Sequence, residues 1–66
     1  MALAEHQERV LNEKAELDAR LEKLNTFMAL NATYAGLPPE EQLRLVRQQA
    51  AMTVYSAILG ERIAAW

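Results

Sequence analysis

The chain has 66 residues, of which 52% are apolar and 24% are charged, so it suits a single small domain and excludes both a disordered tail and a multidomain enzyme. It has no cysteine, which excludes disulfides, thiolate metal sites and thiol chemistry. Its formal net charge of −2 argues against general adhesion to DNA, RNA or anionic lipid. We therefore expect one domain over residues 1–66 whose partner is a small ligand or another protein.

The start of the chain and its apolar runs bear on its location. Residues 1–6 lack the basic region and apolar stretch of a secretory signal. No apolar run approaches the roughly 18 residues of a membrane span. The sequence therefore predicts a cytoplasmic protein.

Proline and glycine interrupt the chain mainly between residues 34 and 39, and helices are predicted on both sides, at about residues 4–33 and 39–65. In the first helix, apolar residues recur every seven positions and at the three- and four-residue spacings between them. They are Leu3, Val10, Leu17, Leu21, Leu24 and Met28. Gln7 and Lys14 fall on the same seam, so its N-terminal half is predicted to open toward a partner or a ligand.

The break between the helices has turn chemistry. Gly36 can adopt the left-handed conformation that often ends a helix, and Pro39 suits the first helical position. Glu40 and Glu41 then lie near the positive end of the helix dipole. The sequence thus predicts an all-α fold, a two-helix antiparallel hairpin.

The second helix is apolar on more than one side, which one neighbouring helix cannot cover. One stripe consists of Leu43, Val46, Ala50, Val54, Ala57 and Ala64, and the other of Met52, Tyr55, Leu59, Ile63 and Trp66. Because so short a chain buries little surface alone, we expect other copies to cover the remainder. The predicted oligomer interface comprises Leu17, Leu21, Leu24, Met52, Tyr55, Leu59, Ile63 and Trp66.

Few residues offer chemistry. The chain has one histidine, no glycine-rich phosphate loop and no paired histidine ligands, so we expect neither an enzyme nor a metal or cofactor site. Most charges fit a solvated face, with candidate ion pairs between Glu5 and Arg9, Glu16 and Arg20, and Arg44 and Glu40 or Glu41. Lys14 either extends its ammonium past the core or meets an anion in a shared pocket.

Several motifs resemble a known family. They are Leu-Pro-x-Glu-Glu-Gln at residues 37–42, Gln-x-x-x-Met-x-x-Tyr at 48–55 and Leu-x-Glu-Arg-Ile at 59–63, preceded by the charged and apolar pattern of residues 8–27. The chain thereby resembles small bacteriophage proteins that act as anti-defence sponges. These proteins sequester, without cleavage, the cyclic oligonucleotide signals of bacterial CBASS immunity, and they form a helical homo-hexamer.

The resemblance implies ligands bound between protomers in the cytoplasm of an infected bacterium. A cyclic dinucleotide pocket would use an aromatic ring near the N-terminus, where this chain offers His6, and a cation further along the first helix, either Arg20 or Lys23. A second pocket, for cyclic trinucleotides, implicates Arg62. An alternative hypothesis needs no nucleotide: a helical hairpin that binds a host or phage protein through the stripe from Met52 to Trp66.

Overall fold

The computed structural model describes residues 3–66, so the first two residues of the predicted domain lie outside the described part. It contains α1 (Glu5–Leu30), α2 (Ala32–Ala35) and α3 (Pro39–Ala64). The two long helices pack against each other, and the short one lies between them in the chain. The predicted all-α helical hairpin is therefore confirmed.

Contacts between α1 and α3 define their relative direction. Lys14 contacts Ser56, whereas Asn25, further along α1, contacts Gln49, which lies earlier in α3. Since the position on α3 falls as the position on α1 rises, the helices are antiparallel. Their core is a small cluster of buried residues, Val10, Leu17 and Leu59, with Met52 and Ile63 packed against it.

The first helix begins with polar support. Glu5 and Glu8 lie in its first turn, near the positive end of the helix dipole. The side-chain oxygen of Gln7 accepts a hydrogen bond of 3.0 Å from the backbone N–H of Ala4. Gln7, predicted on the seam, thus also satisfies a free backbone donor at the start of the helix.

The first helix ends earlier than predicted. Its expected end was residue 33, but Asn31 adopts an extended conformation, with φ −97° and ψ 125°, and α1 ends at Leu30. The Asn31 side chain accepts a hydrogen bond of 2.8 Å from the backbone N–H of Thr33 and begins α2. Asparagine competes in this way with the helical backbone for hydrogen bonds, which is why it favours helix starts.

The predicted left-handed conformation of Gly36 is wrong. Gly36 has φ −88° and ψ −3°, a right-handed helical conformation, and its N–H donates to the carbonyls of Ala32 and Thr33. The chain changes direction instead at extended residues on either side of α2, Asn31 and Pro38. Two extended residues therefore replace the single left-handed glycine as the means of reversal.

The second long helix begins as predicted, with Pro39 at its start and Glu40 and Glu41 in its first turn. The Gln42 amide donates to the carbonyl of Tyr34 at 2.9 Å and to that of Ala35 at 3.3 Å. These bonds satisfy carbonyls at the end of α2 and fix the tip of the hairpin to α3.

The hairpin is a rod. It measures 50 × 16 × 14 Å, and its radius of gyration is 15.1 Å. A compact chain of this length has a radius of about 11 Å. Only three apolar side chains among residues 3–66 are buried, so each helix leaves most of its circumference in contact with water.

Candidate functional site

A polar cluster joins the two long helices in the N-terminal half of the seam. The Lys14 ammonium donates to the Ser56 hydroxyl at 2.7 Å, to the Ser56 carbonyl at 3.3 Å and to the Asp18 carboxylate at 3.0 Å. The Ser56 hydroxyl in turn donates to the other oxygen of Asp18. The seam lysine is therefore held by groups of its own chain.

Asp18 balances the charge of this cluster. Hydrogen bonds from Ser56 and Lys14, together with the positive charge of Lys14, lower the pKa of Asp18 below its ordinary value, and partial desolvation opposes them less strongly. The carboxylate is ionised at neutral pH. An incoming anion that binds Lys14 must therefore compete with Asp18 for the same ammonium.

A glycine one turn beyond Ser56 leaves room for the lysine. A Cβ atom added at Gly60 would lie 3.7 Å from Cε of Lys14, which is ordinary van der Waals contact. The alkyl chain of Lys14 thus runs beside the backbone of α3. A side chain larger than alanine at this position would meet it.

The remaining cations differ in whether they have partners. The predicted ion pairs of Arg9 with Glu5, at 2.7 Å, and of Arg44 with Glu41, at 3.0 Å, are present. The predicted pair between Glu16 and Arg20 does not form within 4 Å. The candidate ligand-binding residues His6, Arg20, Lys23 and Arg62 are all exposed and, in the described part of the chain, take part in no ion pair.

Lys23 lies at a depression in the surface. The depression has a volume of about 430 Å³, is open to solvent and is lined by Ala19, Glu22, Lys23 and Thr26, all on α1. Arg20 is not among its lining residues. The structure thus distinguishes two cations that sequence spacing leaves equivalent, because Lys23 lines this depression and Arg20 does not.

The residues predicted to form an oligomer interface divide between the core and the surface. Leu17 and Leu59 are buried between α1 and α3, and Met52 and Ile63 pack against them. Leu21 and Leu24 are half-buried, whereas Tyr55 and Trp66 are 44% and 46% exposed. The hairpin itself therefore covers much of this set, and its contact with another copy stays a prediction.

The apolar stripe of α3 that begins at Leu43 is left largely uncovered. Leu43 and Val54 are 59% and 60% exposed, and Val46 and Ile58 are 43% and 48% exposed. By helical spacing they share one side of α3 with Ala50, opposite the side that packs on α1. We call this set, Leu43, Val46, Ala50, Val54 and Ile58, the free face of α3.

Ser56 and Asp18 are the polar residues of the cluster that were not predicted from the sequence. Both were detectable in principle: Asp18 lies one helical turn after Lys14, and Ser56 is a polar residue between Met52 and Leu59 on the side of α3 that packs on α1.

In residues 3–66, no three acidic or histidine side chains lie together as a metal site would require. No helix of that part has the length and apolar character needed to cross a membrane.

The fold is a small all-α helical hairpin with an apolar core and one polar cluster between its two long helices. The model of the Sequestin family matches residues 4–65, so nearly the whole chain is covered and the chain belongs to the Sequestin family. This match confirms the family-level resemblance drawn from the sequence motifs. The family name indicates a sequestering role rather than a catalytic one. No curated protein and no solved structure matches the chain.

Proposed function

We propose that this protein is a phage anti-defence sponge: it binds and sequesters cyclic dinucleotide or trinucleotide signals of CBASS immunity between protomers, without cleaving them. The observation that carries the proposal is membership of the Sequestin family over residues 4–65. The expected site of action is the cytoplasm of the infected bacterium, and the expected assembly is a homo-hexamer.

The physical form of the hairpin supports a site shared between copies. A rod 14–16 Å thick has little interior in which to enclose a cyclic nucleotide. The depression beside Lys23 is open and lies on a single helix. A second copy placed over it would exclude water and add its own cations, and symmetry would repeat each cation around the site.

The candidate ligand contacts follow from charge and shape. His6 is proposed to stack on a base, and Lys23 or Arg20 to bind a phosphate, with Lys23 favoured by the depression that it borders. Arg62 is proposed to bind a cyclic trinucleotide. Lys14 is proposed to exchange its bond with Asp18 for one with a ligand phosphate, which keeps the ammonium paired throughout.

We propose binding without catalysis. Ser56 is 8% exposed, and its hydroxyl is shared by Lys14 and Asp18, so it is not free to attack a phosphate. The buried side-chain nitrogen and oxygen atoms of residues 3–66 all have hydrogen-bond partners. Those groups maintain the hairpin, and sequestration needs affinity from the surface cations but no reactive group.

The test is calorimetric titration of the assembled protein with a panel of cyclic dinucleotides and trinucleotides. At least one should bind, and heat denaturation should return the ligand with its phosphodiester ring intact. Lys23→Ala should weaken dinucleotide binding, whereas Arg9→Ala, which removes a cation already paired with Glu5, should not. Absence of heat with every ligand, for folded and assembled protein, would refute the proposal, as would recovery of linear products.

A second candidate function is a protein-interaction module. The exposure of Tyr55 and Trp66, together with the free face of α3, favours it, because amphipathic helices bind partners through such surfaces. The mass of the protein in solution distinguishes the two candidate functions. A stable monomer supports an interaction module that binds a different protein, and a closed homo-oligomer supports the sponge.

A further inference from the structure

We infer that the free face of α3 binds the same face of a second copy, with the two α3 helices antiparallel and a two-fold axis beside Val54. The inference rests on the proposed function and concerns one contact of the assembly that it requires, separate from the contact that would cover the depression on α1. It can fail separately from that function, because copies joined through another surface could still bind the nucleotide.

The amount of exposed surface matches such a contact. The chain exposes 5016 Å². A compact monomer of 7.5 kDa exposes about 4,250 Å² by size scaling, so the excess is about 770 Å². Each partner in a stable protein interface buries roughly 800 Å². Burial of one self-association surface would therefore reduce the exposed area of each chain to about that of a compact protein of the same mass.

The spacing of large and small residues favours the antiparallel arrangement. An axis beside Val54 places every residue of one α3 opposite the residue equally far from position 54 in the other copy. Ala50 then meets Ile58 of the second copy, and Ile58 meets its Ala50, so that each isoleucine faces an alanine. Val54 meets its own counterpart at the centre. Such alternation lets two helices approach closely without overpacking.

Two charged residues at the ends of this face support the same axis. Arg47 and Glu61 are exposed, lie on the same side of α3 as Val54 by helical spacing, and form no ion pair within residues 3–66. They are seven positions before and seven positions after Val54. The two-fold axis therefore sets Arg47 of each copy against Glu61 of the other, giving two symmetric ion pairs.

Other arrangements of the same two helices bring like charges together. A parallel pair would place Arg47 beside Arg47 and Glu61 beside Glu61. An antiparallel pair with its axis between Ala50 and Ala51 would place Glu40 opposite Glu61. Like charges facing each other across an interface suppress the wrong pairing. The charges thus favour the axis at Val54 over both of these alternatives.

Single cysteines test the geometry, since the natural chain has none. Under mild oxidation, Val54→Cys should give covalent dimers on a non-reducing denaturing gel. Ala50→Cys alone should not, because the two Cα atoms would be about 12 Å apart along the axis, beyond disulfide reach. Ala50→Cys mixed with Ile58→Cys should cross-link. Glu8→Cys, on α1, is the matched control and should remain uncross-linked.

Charge exchange tests the register without a disulfide. Arg47→Glu should raise the dissociation constant of the assembly by about tenfold or more, and so should Glu61→Arg. The double variant Arg47→Glu with Glu61→Arg should restore association. Any of three results would overturn the inference. Ala50→Cys could cross-link with itself, or Val54→Cys could fail to cross-link in the assembled protein. The third is a double charge variant that associates no better than the single variants.

Discussion

The ammonium of Lys14 and the hydroxyl of Ser56 lie 2.7 Å apart across the two long helices, in the N-terminal half of the seam. Asp18 binds both groups. A polar contact of this kind specifies which residues of two packed helices stand opposite each other, because sliding of the helices would separate the Ser56 hydroxyl from both Lys14 and Asp18.

Ser56→Ala should lower the free energy of unfolding by about 1–2 kcal/mol, because the Lys14 ammonium and the Asp18 carboxylate both lose a hydrogen bond. Urea denaturation at fixed protein concentration, followed by circular dichroism, measures the change. Thr53→Ala is the matched control: its hydroxyl bonds only to the exposed Gln49 carbonyl one turn earlier, so its effect should stay within about 0.5 kcal/mol. Equal losses for the two variants would contradict a role for Ser56 in joining the helices.

Acid should weaken the cluster. The pKa of Asp18 is lowered in the folded chain, so its contribution is fully present above the unfolded pKa of about 3.9 and is lost as the pH falls through the folded value. The melting temperature of the natural chain should therefore exceed that of Asp18→Asn at pH 6, and the difference should shrink below about pH 4. A difference that stays constant from pH 6 to pH 2 would refute this role for Asp18. Glu13→Gln provides the comparison, because the Glu13 side chain is exposed and forms no ion pair in residues 3–66.

Leu59 is the most deeply buried apolar side chain of the hairpin, at 1% exposure. Leu59→Ala should cost about 2–5 kcal/mol, which approaches the whole stability of a small domain. Leu30, which is 82% exposed, is the control, and Leu30→Ala should cost less than about 0.5 kcal/mol. Thermal melts should rank the two variants in that order, and a smaller loss at Leu59 than at Leu30 would contradict the position of the core.

Gly36→Ala tests the corrected conformation of the turn. Because φ of Gly36 is negative, alanine fits, and the variant should gain about 0.4–1 kcal/mol through a less flexible unfolded chain. A Cβ there would come no closer than 3.7 Å to its nearest neighbours, two carbonyl oxygens. A clear loss of stability would instead indicate the left-handed conformation that the sequence pattern first suggested.

The helical hairpin was predictable because its signals are local. The seven-residue spacing of Val10, Leu17 and Leu24 and the Pro39 start of the second helix depend only on nearby residues, and the structure agrees with both. The end of α1 at Leu30 was harder to predict from the sequence, since asparagine can either continue a helix or cap the next one. Tertiary contacts at the tip, such as Gln42 with Tyr34, favour the second outcome.

The candidate site was only partly predictable. Lys14 stood out as a lysine on an apolar seam, but its partners could not be identified until the register of α1 and α3 was known. The same limit applied to the stripes of α3: spacing showed two, and only the packed structure showed that Leu59 faces α1 while Val54 faces solvent. Spacing along one helix does not determine which side meets a neighbour.

The most direct test is the mass of the natural chain in solution, measured by sedimentation equilibrium at micromolar concentration alongside its helical content. We predict a closed assembly whose mass is a multiple of 7.5 kDa and which loses helix as it dissociates on dilution. A lone 7.5 kDa species that keeps its full helical content and its melting temperature on dilution would contradict the claim that further copies complete this hairpin.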